Sequence, residues 1–179
     1  MQGRGARQAT PLSLGETPGQ DLVQCVRSVV GLFGGRAYDG VSVDDLVSYL
    51  GVHRNSLYKA LGSKRGLYLI ALRHHLAADV RPLLDALADA TDAAAALRLV
   101  TSADLDLLLL AAIERAPVDE EVASEVTAAW AAVDQAIADA LRVPGDLAAA
   151  LTVAALGLLL RGNPDNAATA LTRGLGPLT

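Results

Sequence analysis

The chain has 179 residues, is 52% hydrophobic and 20% charged, carries a formal net charge of −5, and has one Trp, four Tyr and one Phe. That length allows one or two small domains with a real core, and the Ala- and Leu-rich, aromatic-poor composition points to an all-α protein. The single Cys25 excludes an internal disulfide and a cysteine-rich metal site and suggests a reducing cytosol. No signal-peptide core opens the chain. The longest apolar run, Leu147 to Leu160, falls short of the roughly 20 residues a membrane span needs, so the expectation is a cytoplasmic protein with no membrane partner.

The charge is unevenly spread. Residues 1–75 carry nine Lys and Arg against five acids, a balance of +4, whereas residues 76–179 carry six against fifteen, a balance of −9. A basic portion on an acidic body orients a molecule on polyanionic DNA.

In chain order, residues 1–19 are rich in Gly, Gln, Pro and Thr and read as a disordered arm. Arg4 and Arg7 in it are read as a solvated tail ahead of a minor-groove arm. A helix from about Asp21 to Phe33 stops at Gly34 and Gly35. Next comes VSVDDLVSYLGVHRNSLYKALGSKRGLY, residues 41–68. Ser42 caps a short helix with Asp45 three residues on, a capping-box spacing, and Val43, Leu46, Val47 and Leu50 form one apolar stripe. Gly51 sits where a left-handed turn is needed. A second helix, about His53 to Leu61, buries Leu57 and Leu61 and leaves His53, Arg54, Asn55, Ser56 and Lys59 facing out. A short basic helix held at a fixed angle by a preceding helix is the geometry that enters a DNA major groove.

Ser63 then caps a long helix from Lys64 to about Ala90, kinked or broken near Pro82, which has no N–H to donate. The carboxyl half reads as further helices over 92–101, 102–116, 119–142, 146–161 and 165–175, with no alternating strand pattern and no internal repeat. The domains expected are a helix-turn-helix DNA-binding domain at 20–66 and a helical bundle at 67–179.

The run GVHRNSLYKALGSKRGLY resembles the TetR family of bacterial transcriptional regulators. The family pattern is Gly-Val, four variable residues, Leu-Tyr, an aromatic, Ser-Lys and a Leu-aromatic pair. It reads here as Gly51-Val52, His53 to Ser56, Leu57-Tyr58, Leu61, Ser63-Lys64 and Leu67-Tyr68, with Leu61 in place of the usual Phe. Phe33, Gly35 and Tyr38 also stand near their usual places, so the resemblance covers roughly residues 21–75. It implies a DNA-binding regulator, a repressor on a palindromic operator, released by a small apolar effector, with no cofactor and no enzymatic activity.

The DNA-binding residues expected are Ser42, His53, Arg54, Asn55, Ser56, Tyr58, Lys59 and Lys64. Arg54 suits guanine and Asn55 adenine, because their paired hydrogen-bonding groups match those base edges. Tyr58 and Lys59 fall to phosphates. Lys64, beside the Ser63 cap, adds positive charge to the free N–H groups of a helix amino end, a good phosphate site. Ser42 offers the same at the preceding helix, and the resemblance implies phosphate contacts at these positions.

Other residues carry less. His74 and His75 are adjacent, so they point about 100° apart on a helix and cannot chelate a metal as an i, i+4 pair does; no metal site is expected. Cys25 reads as a small core residue. The pocket lining expected for an effector is Leu72, Leu76, Leu105, Leu109, Ile113, Val126 and Trp130. The helix from Leu147 to Leu160 is apolar nearly all round and must be covered on more than one side. A second copy is the natural cover, with Leu151, Ala154, Leu158 and Leu171 at the interface. The family resemblance implies such a homodimer through the last two long helices, and two reading helices about one turn apart suit a palindrome. The rival readings are a helix-turn-helix scaffold for protein–protein contact and, less well supported, a small helical enzyme using His74 or His75.

Overall fold

The computed structural model describes residues 18–51 and 62–161, and among them every regular element is helical. The chain divides by its internal contacts into two compact units, Met1–His74 and His75–Thr179.

In the amino-terminal unit, α1 spans Pro18–Gly34 and α2 spans Val43–Leu50, joined through a single 3-10 turn at Tyr38–Gly40. The two helices pack together over a core of Val29, Leu32, Phe33, Val41, Leu46 and Leu50. α2 starts as its sequence dictates. The Ser42 hydroxyl accepts from Asp45 N–H at 3.0 Å, and the Asp45 carboxylate accepts from Ser42 N–H at 2.8 Å, so two otherwise orphaned backbone donors are satisfied reciprocally. α2 ends at Gly51, whose φ of 65° is left-handed. Gly62 is left-handed as well, with φ of 76°. The two glycines bracket residues 52–61, and with them the expected second helix lies outside the described residues. α3, Lys64–His75, closes this stretch, and the Ser63 hydroxyl accepts from Gly66 N–H at 3.0 Å as its cap.

The carboxyl-terminal unit begins with a wide π-turn, Leu76–Val80, which runs straight into α4, Arg81–Ala88. α5, Ala93–Ser102, is capped by Asp92, which accepts from Ala95 N–H at 2.7 Å. α6, Asp106–Leu110, runs into a second π-turn at Ala111–Arg115. α7, Glu120–Leu141, is capped by Asp119, and α8, Gly145–Leu160, follows it after a left-handed Arg142. α8 packs on α5 and α7, and α4 packs on α7 and α5. The core between them holds Leu83, Leu87, Leu97, Val100, Val126, Val133, Ile137, Ala148, Leu151 and Ala155. No single described helix is long and apolar enough to cross a membrane.

Both π-turns share a cause. Arg81 N–H bonds back to the carbonyl of Leu76, and Ala116 N–H to that of Ala111, and in each case the next residue is a proline, Pro82 or Pro117. Proline cannot supply the next i→i−4 bond and crowds the preceding turn; the wider i→i+5 ring accommodates it with the helix still running. The kink or break expected near Pro82 takes the form of a π-turn through which the helix runs on. The helix expected from Ser102 begins instead at Asp106. Ala103 is extended and ends α5, and Asp106 N–H turns to the Asp104 carboxylate at 3.3 Å.

A Cβ on Gly51 would meet no atom within 4 Å, so its requirement is purely conformational. Gly51→Ala is expected to lower stability by about 1–2 kcal/mol in urea denaturation, the usual cost of a left-handed Cβ residue, and Gly51→Asn by less, because Asn tolerates this conformation.

Candidate nucleic-acid interface

The amino end of α3 is where the described residues gather the most chemistry. Phe33 from α1, Tyr38 from the 3-10 turn and Tyr68 from α3 form a ring cluster. Tyr68 meets both others edge-on, at 5.0 Å and 84° in each case, and Phe33 and Tyr38 are near-parallel at 5.9 Å. Edge-to-face pairs of this kind fix ring orientation beyond simple burial. The Lys64 ammonium lies over the outer ring, 4.1 Å from the Tyr38 centroid. No acid stands in the first turn of α3, which opens Lys64-Arg65. The site thus combines a helix amino end and two cationic residues, a combination that attracts anions.

Ser42 sits differently. Its hydroxyl accepts from Asp45 N–H and gives its own proton to the Asp45 carboxylate at 2.7 Å. That leaves it no proton for a phosphate, so its hydroxyl serves α2. The same bonds hold the Asp45 carboxyl below the ordinary aspartate range: first the Ser42 hydroxyl, then the Ser42 N–H, with a smaller contribution from Arg36. His53, Arg54, Asn55, Ser56, Tyr58 and Lys59 lie outside the described residues.

Of the expected pocket lining, Leu72, Leu105 and Val126 are buried, Leu76, Leu109 and Trp130 are half-buried, and Ile113 is 67% exposed. Ile113 lies in the π-turn, where the helical phase used to place it inside no longer holds. A cavity of about 410 Å³ opens elsewhere, between the end of α4 and α5, lined by Ala86, Asp89, Ala90, Thr91, Ala95, Arg98, Leu99 and Ser102; none of the seven expected residues borders it. His75 is fully buried, and its Nδ1 lies 2.9 Å from the Asp79 carboxylate across the π-turn. Burial pushes the half-buried Cys25 thiol up, which keeps it protonated and unreactive. Among the expected interface residues, Leu151 is buried within the unit, Ala154 and Leu158 are half-buried, and Leu171 lies outside the described residues.

Residues 30–70 match the model of bacterial regulatory proteins of the tetR family. Over that stretch the chain is similar to the TetR family. The sequence is similar to the uncharacterized HTH-type transcriptional regulator YezE of Bacillus subtilis, at 39% identity over 56 residues, which is 31% of this chain and 29% of that protein. It is similar also to the HTH-type transcriptional repressor BdcR of Escherichia coli, at 38% over 66 residues, 37% of this chain and 34% of that one. The match thus spans about a third of each curated relative. In fold, the chain resembles cysteine-substituted variants of the TetR family transcriptional regulator CifR solved with 26-bp double-strand operator DNA. One has a TM-score of 0.65 at 23% identity, over 83% of this chain and 92% of that one. Another has a TM-score of 0.66 at 19% identity, over 93% and 98%. The matched segment includes the capped α2, both left-handed glycines and Lys64.

One role went unassigned from sequence. Tyr38 stood out only as part of the family pattern; the signal for more was its spacing from Phe33 and from the Leu67-Tyr68 pair, which brings three rings together.

An NMR titration is expected to place the Asp45 carboxyl below the ordinary aspartate value and Ser42→Ala to return it upward. Because the folded value is the lower one, this group's stabilisation is present above the unfolded value and is lost as pH falls through the folded one. An Asp45 value unchanged by Ser42→Ala contradicts the assignment.

Proposed function

We propose that this protein is a DNA-binding transcriptional regulator that occupies a palindromic operator as a homodimer and is released by a small apolar effector, so that it acts as a repressor. The observation that carries the proposal is the amino end of α3, a helix start with Lys64 and Arg65 and no acid, set inside a family-matched segment that also holds a capped α2 and a left-handed Gly51. Lys64, Tyr58 and Lys59 bind phosphates. Arg54 and Asn55 read base edges, with His53 and Ser56 beside them in the sequence. The excess of positive charge in residues 1–75 over an acidic remainder orients the protein on the duplex.

A second copy is proposed along α8. Ala150, Val153, Gly157 and Leu160 recur at helical spacing and are exposed, Val153 and Leu160 at 69% and 72%. Leu151 faces the core instead, so the interface is taken as this stripe together with the half-buried Ala154 and Leu158. A Cβ at Gly157 would meet nothing within 4 Å inside the chain, which leaves room for a close helix approach. The effector is proposed to enter beside α6 and α7, near Leu105, Leu109, Val126 and Trp130, where the second π-turn already departs from regular helix. Such a ligand lowers DNA affinity only by its differential affinity for the two states.

Binding to duplex DNA is expected to fall steeply with added salt. Lys64→Ala should weaken binding to all sequences alike and reduce the salt slope by about 1. Arg54→Ala or Asn55→Ala should instead cost about 1–3 kcal/mol at one position of the site and relax preference there. Variants of Arg54 and Asn55 that keep the parent's preferences contradict the assignment, and binding to a protein partner insensitive to salt favours the scaffold reading.

Val153→Glu combined with Leu160→Glu is expected to convert a dimer to a monomer in sedimentation equilibrium with helix content unchanged. A dimer that survives both substitutions removes α8 from the interface.

A further inference from the structure

We infer that Tyr38 is a positioning residue for DNA binding: its ring face holds the Lys64 ammonium at the amino end of α3, so that the charge is in place before a phosphate arrives. The inference rests on the DNA-binding reading above.

A lysine at the start of a helix is electrostatically misplaced, because that end already carries partial positive charge. α2 and α7 put acids in their first turns, Asp44 and Asp45 in one and Glu120 and Glu121 in the other, whereas α3, like α4 and α5, puts none and, under its Ser63 cap, opens on Lys64 and Arg65. An aspartate or glutamate partner would hold the ammonium but would also cancel its charge and occupy its donors. A ring does neither. The quadrupole of the Tyr38 face attracts the ammonium, and the three N–H donors stay available for phosphate oxygens. At 4.1 Å from the centroid, the Lys64 Nζ is well within the range of that attraction.

The ring that does this is itself fixed. Tyr38 begins the 3-10 turn, where its carbonyl accepts from Val41 N–H at 3.2 Å. Tyr68 lies edge-on to it at 5.0 Å, and Phe33, fully buried, lies near-parallel at 5.9 Å. Lysine is among the side chains with most rotamer freedom to lose on binding. A fixed ring withdraws part of that freedom in the unbound protein, which leaves less to lose when the complex forms.

The test measures affinity for random-sequence duplex DNA at low ionic strength, because a phosphate contact is sequence-independent. Tyr38→Phe keeps the ring face and is expected to bind as the parent does. Tyr38→Leu is expected to weaken binding about 2–5-fold, the affinity equivalent of an exposed cation–π contact. In a Lys64→Met background the same Tyr38→Leu change is expected to cost nothing further. Loss of ring packing lowers the melting temperature in both backgrounds, so a purely structural role for Tyr38 predicts equal affinity losses in both, and that result overturns the inference. Progressively fluorinated phenylalanines at position 38 keep the shape while draining the ring face, which covers the case of a Tyr38→Leu chain that does not fold. Affinity should decline with each fluorine, and a flat series overturns the inference. A parent protein that binds no duplex at all rejects the DNA-binding reading and the inference with it, whereas a parent that binds without Tyr38–Lys64 coupling rejects the inference alone.

Discussion

Phe33, Tyr38 and Tyr68 come from three separate segments of the chain and meet at ring distances of 5.0 to 5.9 Å. The geometry of the amino-terminal unit depends on that meeting. It ties α1 to the 3-10 turn and to the first turns of α3, and it fixes the surface on which Lys64 rests. The hydrogen-bonded cap of α2 and the left-handed Gly51 then set how the chain leaves α2 toward residues 52–61, and Gly62 sets how it returns. Each of these is a local constraint with few alternatives: a ring has two faces, a cap has one register, and a left-handed turn strongly favours glycine.

Much of this was legible from residue types. A Ser three positions before an Asp, ahead of an apolar stripe, specifies a capped helix, and Ser42 and Asp45 form that box. Asp92 and Asp119 likewise cap the helices that start after them. Caps are short-range, so sequence carries them nearly whole. The π-turns were legible only as disturbance. Proline announces that a bond is missing, but whether the helix breaks, kinks or widens depends on what packs around it. Each wide turn also shifts helical phase, which is why an exposed Ile113 was expected inside. Leu151 shows a similar limit on α8. With apolar residues nearly all round that helix, hydrophobicity cannot say which side meets α5 and α7, and only the packed structure separates buried Leu151 from exposed Val153.

The helix starts differ in their electrostatics. The carboxyl-terminal unit follows helix-dipole preference where α7 opens on Glu120 and Glu121 under an Asp119 cap, itself paired with Arg115 at 3.3 Å. The amino-terminal unit departs from it at α3, where Lys64 and Arg65 stand at the positive end of the helix. A lysine and an arginine at a capped helix start inside a family-matched segment are what a site for an external anion looks like. The DNA-binding proposal therefore rests on that placement as well as on similarity.

The most direct measurement is a selection of duplexes from a random-sequence pool with the purified full-length protein at low ionic strength, followed by sequencing of what is retained. The account predicts enrichment of an inverted repeat whose half-sites lie about one helical turn apart. Retention of no duplex, or of duplexes with no shared motif and no two-fold symmetry, contradicts it.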